Sequence, residues 1–277
     1  MRIWLNKKGC RPGRVLALLV TGVAVALAAF NPAQSVASQQ RTPKPTIVLV
    51  HGSWADASSW NRVTERLQDN GYTVRAIPNN LRSVTGDAAS VRAFVQSVPG
   101  PVVLVGHSYG GFVITNAATG LANVKALVYI NAFAPDAGET PFQLVGPDSA
   151  LAVDPATVFD LVPPTLPPSP VTDVFLKRST VFNSFATGLS VHDKDLVFAT
   201  QRPGALGALN EPSAAPAWKT IKSWSAIGTA DKIIPATAQR AMSKRAGAVV
   251  TEYAGGHLGL LSDPRTVTRV IERAARG

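Results

Sequence analysis

One junction constrains this chain more than any other. The run Pro101–Val105 passes directly into Gly106-His107-Ser108-Tyr109-Gly110, and from there into a segment that reads as a helix to about Thr119. A strand with no polar alternation is buried on both faces, as in a parallel sheet with helices packed on each side. Thr46–Val50 has the same character, and Thr73–Ile77 and Val124–Ile130 read as further strands. Between them, Ser58–Asn70 reads as an amphipathic helix stopped by Gly71, and residues 86–98 as a helix stopped by Pro99-Gly100. The pattern returns with a strand over Ile221–Gly228, a helix over Pro235–Arg245, a strand over Ala248–Tyr253 and a helix over Pro264–Ala275. This alternation predicts an α/β fold: a mostly parallel sheet covered by helices on both faces. At 277 residues there is room for one sizeable core and an insertion, not for two full domains.

The alternation stops near Pro135. Nine of the 21 prolines fall between Pro135 and Pro170, a density that opposes long helices and sheet ladders. Residues 135–216 therefore read as a Pro-rich lid inserted into a core of 46–134 and 217–277, with a helix expected around Val171–Asn183. The start of the chain belongs to another process. Arg2, Lys7, Lys8, Arg11 and Arg14 precede the apolar run Val15–Phe30, and Ser35-Val36-Ala37 supplies small residues for cleavage. Residues 1–37 read as a signal peptide and 38–45 as a leader, which implies a secreted or periplasmic protein with no stable membrane association once cleaved. An uncleaved N-terminal anchor is the alternative. Cleavage takes the formal charge from +10 to about +5, with 22 basic residues against 17 acidic. No Lys/Arg cluster with interleaved aromatics is present, which argues against a nucleic-acid partner. Cys10 precedes the apolar run, so the processed chain would have no disulfide, thiol nucleophile or Cys-ligated metal. The sequence is silent on oligomeric state.

The chemistry points to acyl transfer. A serine nucleophile must project from a very tight turn, and glycine on each side lets strand and helix approach. Ser108 in Gly106-X-Ser108-X-Gly110, between an apolar strand and a helix, has that setting. A serine hydroxyl needs a base, and the chain has four histidines: His51, His107, His192 and His257. His107 should point away from its neighbour Ser108. His51 ends the first strand and reads as a brace for its loop, and His192 lies in the lid. His257, in Gly255-Gly256-His257-Leu258-Gly259 after the last strand, remains as the base, at the carboxyl edge where open α/β sheets place their sites. The base needs an acid to hold its tautomer. Asp231 follows the Ile221–Gly228 strand and gives the chain order Ser108, Asp231, His257; Asp136, after the fourth strand, is the rival. The oxyanion would be met by the backbone N–H groups of Tyr109 and Ser53, so the Ser53 hydroxyl is dispensable. Trp54 and Tyr109 are candidates for the pocket wall.

These residues resemble a known family. His51-Gly52-Ser53-Trp54 with Trp60, then Gly106-His107-Ser108-Tyr109-Gly110-Gly111, then Asn131-Ala132-Phe133-Ala134-Pro135-Asp136 are similar to the α/β-hydrolase branch that contains plant methylesterases, hydroxynitrile lyases and many bacterial esterase-like proteins. Ala199-Thr200-Gln201-Arg202-Pro203 and Pro216-Ala217-Trp218-Lys219 resemble its bacterial members. The likeness runs from about residue 46 to 275 and implies the α/β-hydrolase fold, the triad Ser108, Asp231 and His257, and oxyanion donors at Ser53 and Tyr109. The lyases of this branch have Thr after the first loop histidine and Lys after the catalytic one; here these are Gly52 and Leu258, which argues against a cyanide-handling lyase. Epoxide and haloalkane hydrolases use an Asp nucleophile where this chain has Ser108. The expectation is a serine esterase without metal or cofactor, acting on a small-molecule carboxylic ester. A lactonase, perhydrolase or C–C bond hydrolase on the same triad is the alternative, and an exported non-catalytic binding homologue is the third.

Overall fold

The computed structural model describes residues 43–164 and 167–277; the expected signal peptide lies outside them. In chain order, β1 (Thr46–Val50), α1 (Asn61–Asp69), β2 (Val74–Ile77), α2 (Val84–Ser97), β3 (Val102–His107), α3 (Gly110–Ala117) and β4 (Val124–Ile130) lead into the insertion. The insertion carries β5 (Phe159–Val162), β6 (Asp173–Leu176), α4 (Val191–Ala199) and β7 (Gly204–Ala205). Then β8 (Ser223–Gly228), α5 (Ala236–Arg245), β9 (Val249–Tyr253) and α6 (Pro264–Arg276) complete the core.

Six strands form one sheet in the order β2-β1-β3-β4-β8-β9, with every neighbouring pair parallel. This is the expected α/β fold. Helix α1 packs on α6 and α2 on α3, so every residue of β3 and β8 is buried. Ile47, Leu49, Leu104, Ile114 and Leu127 are fully enclosed, each burial contributing about 1.5–3 kcal/mol. Helix α6 shows why the pattern was legible. Val267, Val270, Ile271 and Ala274 form one buried stripe, Pro264 opens the first turn, and Asp263 caps it by accepting from the Thr266 N–H at 3.1 Å. Strand β3 runs two residues beyond the expected Val105, because Gly106 and His107 pair with Tyr129 and Ile130.

The insertion departs from expectation. The helix expected around Val171–Asn183 is a strand in its first half: Asp173–Leu176 lies between β5 and β7 in a three-stranded antiparallel sheet. Its alternation, with Val174 and Leu176 buried, suits a strand with a partner on each side. Helical structure begins only at Arg178 and continues as a π-helical turn, Val181–Phe185. The prolines at 163, 164, 167, 168 and 170 lie in the connection between β5 and β6, outside the ladder they would break. Helix α4 was not foreseen. None of its side chains is fully buried, so it has no apolar stripe to read.

Candidate active site

The sheet delivers all the candidate groups to one edge. Ser108 follows β3, Asn131 follows β4, Asp231 follows β8 and His257 follows β9, while the His51–Trp54 loop follows β1. Ser108 has φ +53°, in the left-handed region, which costs a residue with a side chain about 1–2 kcal/mol. Its carbonyl offsets that by accepting from the N–H groups of Gly111 (2.9 Å) and Phe133 (3.3 Å). Strand and helix meet closely behind it: a Cβ on Gly106 would lie 2.5 Å from the Gly110 oxygen. Gly52 is as tightly placed. A Cβ there would lie 2.6 Å from Ser108 Cβ and 3.2 Å from Ser108 Oγ, so this backbone has no room for a threonine at the position.

Ser108, His257 and Asp231 are brought together by hydrogen bonds. Ser108 Oγ lies 3.0 Å from His257 Nε2, and His257 Nδ1 lies 2.9 Å from Asp231 Oδ2 and 3.1 Å from Oδ1. All three residues are buried. With Nδ1–H donating to the carboxylate, Nε2 keeps its lone pair for the Ser108 hydroxyl, the tautomer a general base needs. Asp231 is held from several sides. Its Oδ1 accepts from the N–H groups of Ile233 (2.8 Å) and Ile234 (3.0 Å), and its Oδ2 from the side chains of Gln239 (2.9 Å) and Asn131 (3.2 Å). The Tyr253 hydroxyl donates to Asn131 Oδ1, which turns the Asn131 amide toward Asp231 and the Gly256 carbonyl. Gln239 and Tyr253 carry no signal in the sequence, and Asn131 enters there only as the first residue of a family-like motif, without a role; at the end of β4 with φ +45°, its edge position and αL tolerance are what could have flagged one. The rival acid Asp136 is elsewhere. It is partly exposed and pairs with Lys219 Nζ at 2.9 Å, a bond that holds its carboxyl below the usual range.

Among the described residues, neither the Ser53 nor the Tyr109 backbone N–H donates to a protein atom, and both residues line the cavity that contains Ser108. The loop bearing Ser53 is braced by His51, whose Nδ1–H donates to the Gly52 carbonyl (2.9 Å) while Nε2 accepts from the Asn79 N–H (2.8 Å). Trp54 walls the same cavity, donating Nε1–H to the Val174 carbonyl at 2.8 Å and stacking on Phe159 of β5. Tyr109 is anchored through its hydroxyl, which donates to the buried Asp87 at 2.9 Å; burial raises the phenol pKa and keeps it a donor. His192 is exposed on α4.

His107 is more than a neighbour. Its ring centroid is 4.9 Å from that of His257, and its Nε2–H donates to the His257 carbonyl at 3.0 Å. Burial, reinforced by the facing His257, drives its pKa well below the ordinary histidine value. The folded state therefore keeps His107 neutral, whereas the unfolded chain takes up a proton below about pH 6.5. Stability is lost as pH falls through that value, by up to about 1.4 kcal/mol per pH unit from this residue. In urea unfolding at pH 7.0 and 5.5, His107→Gln is expected to show a shallower loss than the wild type; equal losses would refute this origin. His51 titrates in the same sense, its pKa lowered first by burial.

The chain is similar to several known proteins in sequence and in fold. A 111-residue stretch is 31% identical to a carbendazim hydrolyzing esterase of Nocardioides sp. (strain SG-4G), covering 35% of this chain but only 46% of that protein. The alpha/beta hydrolase nvfD of Aspergillus novofumigatus (strain IBT 16806) is 26% identical over 253 residues, covering 84% of this chain and 97% of the relative. Polyneuridine aldehyde esterase shares the fold, with a TM-score of 0.71 at 23% identity over 83% of this chain and 99% of its own. Residues 47–270 match the model of the Alpha/beta hydrolase family, and the chain, with its parallel sheet and its serine at the β3–α3 turn, belongs to that family.

Proposed function

We propose that this protein is a serine hydrolase that cleaves small-molecule carboxylic esters through an acyl-enzyme on Ser108. The observation that carries the reading is the continuous chain from Ser108 Oγ to His257 Nε2 (3.0 Å) and from His257 Nδ1 to Asp231 (2.9 Å), beside two backbone N–H groups with no acceptor among the described residues. The similarity to a carbendazim hydrolyzing esterase supports it.

The steps follow from the atoms. Ser108 Oγ attacks the carbonyl carbon and its proton passes to His257 Nε2. The carbonyl oxygen, now carrying the charge, is met by the Ser53 and Tyr109 N–H groups. Asp231 stabilises the imidazolium and holds the ring in line. When the C–O bond to the alcohol breaks, His257 returns the proton to the leaving oxygen. Water then repeats the sequence on the acyl-enzyme, releasing the acid and restoring Ser108.

The test is covalent labelling by a fluorophosphonate. Mass spectrometry is expected to place the adduct on Ser108, and His257→Ala to lose the labelling. An adduct on another residue, or undiminished labelling without His257, would reject the mechanism.

A further inference from the structure

Trp54 belongs to two cavities at once. The one that holds Ser108 and Tyr109 is about 20 Å³ and is closed by Phe142, Val145 and Leu151; that is close to the room one water needs. The other is about 200 Å³, with an apolar lining of Trp54, Phe185, Leu196, Val197, Leu258 and Leu261. Phe185 meets the edge of Trp54 at 5.9 Å and the ring of His257 at 5.3 Å, and Leu258 follows His257 in the chain. The large pocket therefore approaches the His257 side of the nucleophile through Phe185, since neither Ser108 nor His257 lines it, while the small one holds Ser53, Ser108 and Tyr109. The rest of the large pocket is largely polar: Arg62 and Asp193 stand 3.5 Å apart and offset each other, and Asp56 accepts from the Ser58 N–H at 2.7 Å.

Acyl transfer assigns the two sides. The proton taken by His257 Nε2 must be handed to the leaving oxygen as its bond to the carbonyl carbon breaks, so the leaving group departs on the His257 side. The carbonyl oxygen faces the Ser53 and Tyr109 N–H groups, and the acyl chain takes the space beside them. Resting on the ester-hydrolase reading above, we propose that the larger pocket receives the leaving alcohol and the small cavity the acyl group. The preferred substrates are then esters of short acids with bulky, uncharged, apolar alcohols, aromatic ones included. Such an alcohol enters by parting the Trp54–Phe185 contact. Phe185 closes the π-helical turn Val181–Phe185, so its place over His257 is set by the insertion and not by the core.

The experiment fills one side and opens the other. Val197→Trp projects into the large pocket from α4, a helix with no fully buried side chain, so folding is not at stake. It is expected to lower the ratio of kcat/KM for 2-naphthyl acetate to that for ethyl acetate at least about tenfold. Leu151→Ala breaches the wall that the small cavity shares with an apolar groove of about 800 Å³ on the insertion. It should raise the rate on hexanoate esters relative to acetates. An unchanged naphthyl-to-ethyl ratio in Val197→Trp, or a wild-type preference for methyl hexanoate over 2-naphthyl acetate, overturns the assignment. A binding measurement separates the two readings. By calorimetry, 2-naphthol should bind Ser108→Ala and lose at least about tenfold in affinity when Val197→Trp is added. Fluorophosphonate labelling of Ser108 with naphthol affinity unmoved by Val197→Trp refutes the pocket assignment alone. Loss of naphthol affinity with no labelling of Ser108 refutes the hydrolase reading instead.

Discussion

Ser108→Ala is expected to lower kcat on short p-nitrophenyl esters by about 10⁴- to 10⁶-fold, with the fold unchanged. The substitution removes one oxygen whose side-chain bond is to His257 Nε2, at 3.0 Å. Alanine meets the strained φ of +53° no worse than serine does, since both carry a Cβ. The two carbonyl bonds that hold the turn, from Gly111 and Phe133, are backbone bonds and persist. A residual rate over water of about 10³-fold would reflect the Ser53 and Tyr109 N–H groups acting without a nucleophile. A melting temperature within a few degrees of wild type, read beside the kinetics, distinguishes lost chemistry from lost structure. Retained activity in the soluble variant would remove Ser108 from the mechanism.

The second large effect concerns the turn itself. Gly106→Ala places a Cβ 2.5 Å from the Gly110 oxygen, 2.7 Å from its carbonyl carbon and 2.9 Å from the Gly111 nitrogen. Every one of these is a backbone atom, so no side chain can rotate away. Separating β3 from α3 would also expose Phe112, Val113 and Ile114, all fully buried. We expect a loss of at least about 3 kcal/mol, equivalent to roughly 6–12 °C in Tm for a domain of this size. Turnover should fall about 100-fold or more even in the folded fraction, because a displacement near 1 Å misaims the nucleophile. A variant that melts and turns over like wild type would show that the close approach is not what shapes the turn.

The core was legible because its signals are local. A buried parallel strand announces itself by an unbroken apolar run, and α6 by a stripe at helical spacing; neither depends on a distant partner. The turn was legible in part for the same reason, since Gly106 answers a contact with Gly110 made within five residues, whereas Gly110 answers the distant Val50 carbonyl of β1. The insertion was not. Asp173–Leu176 has the composition of either state, and its partners β5 and β7 settle it as a strand. Helix α4 carries no buried face, so it left no pattern to find.

The same division runs through the site. By itself the sequence determined the α/β sheet, the serine on its sharp turn, and the order serine, acid, base, because strand, helix and turn preferences act over a few residues. The tertiary structure alone decided that Asp231 and not Asp136 faces His257, that Asn131 reaches Asp231 from 100 positions away, and that Trp54, with Phe185 against its edge, lines two cavities. A hydrogen bond or a ring contact depends on distance in space and not on distance along the chain, and which distant groups meet is set only when the sheet brings its loops to one edge.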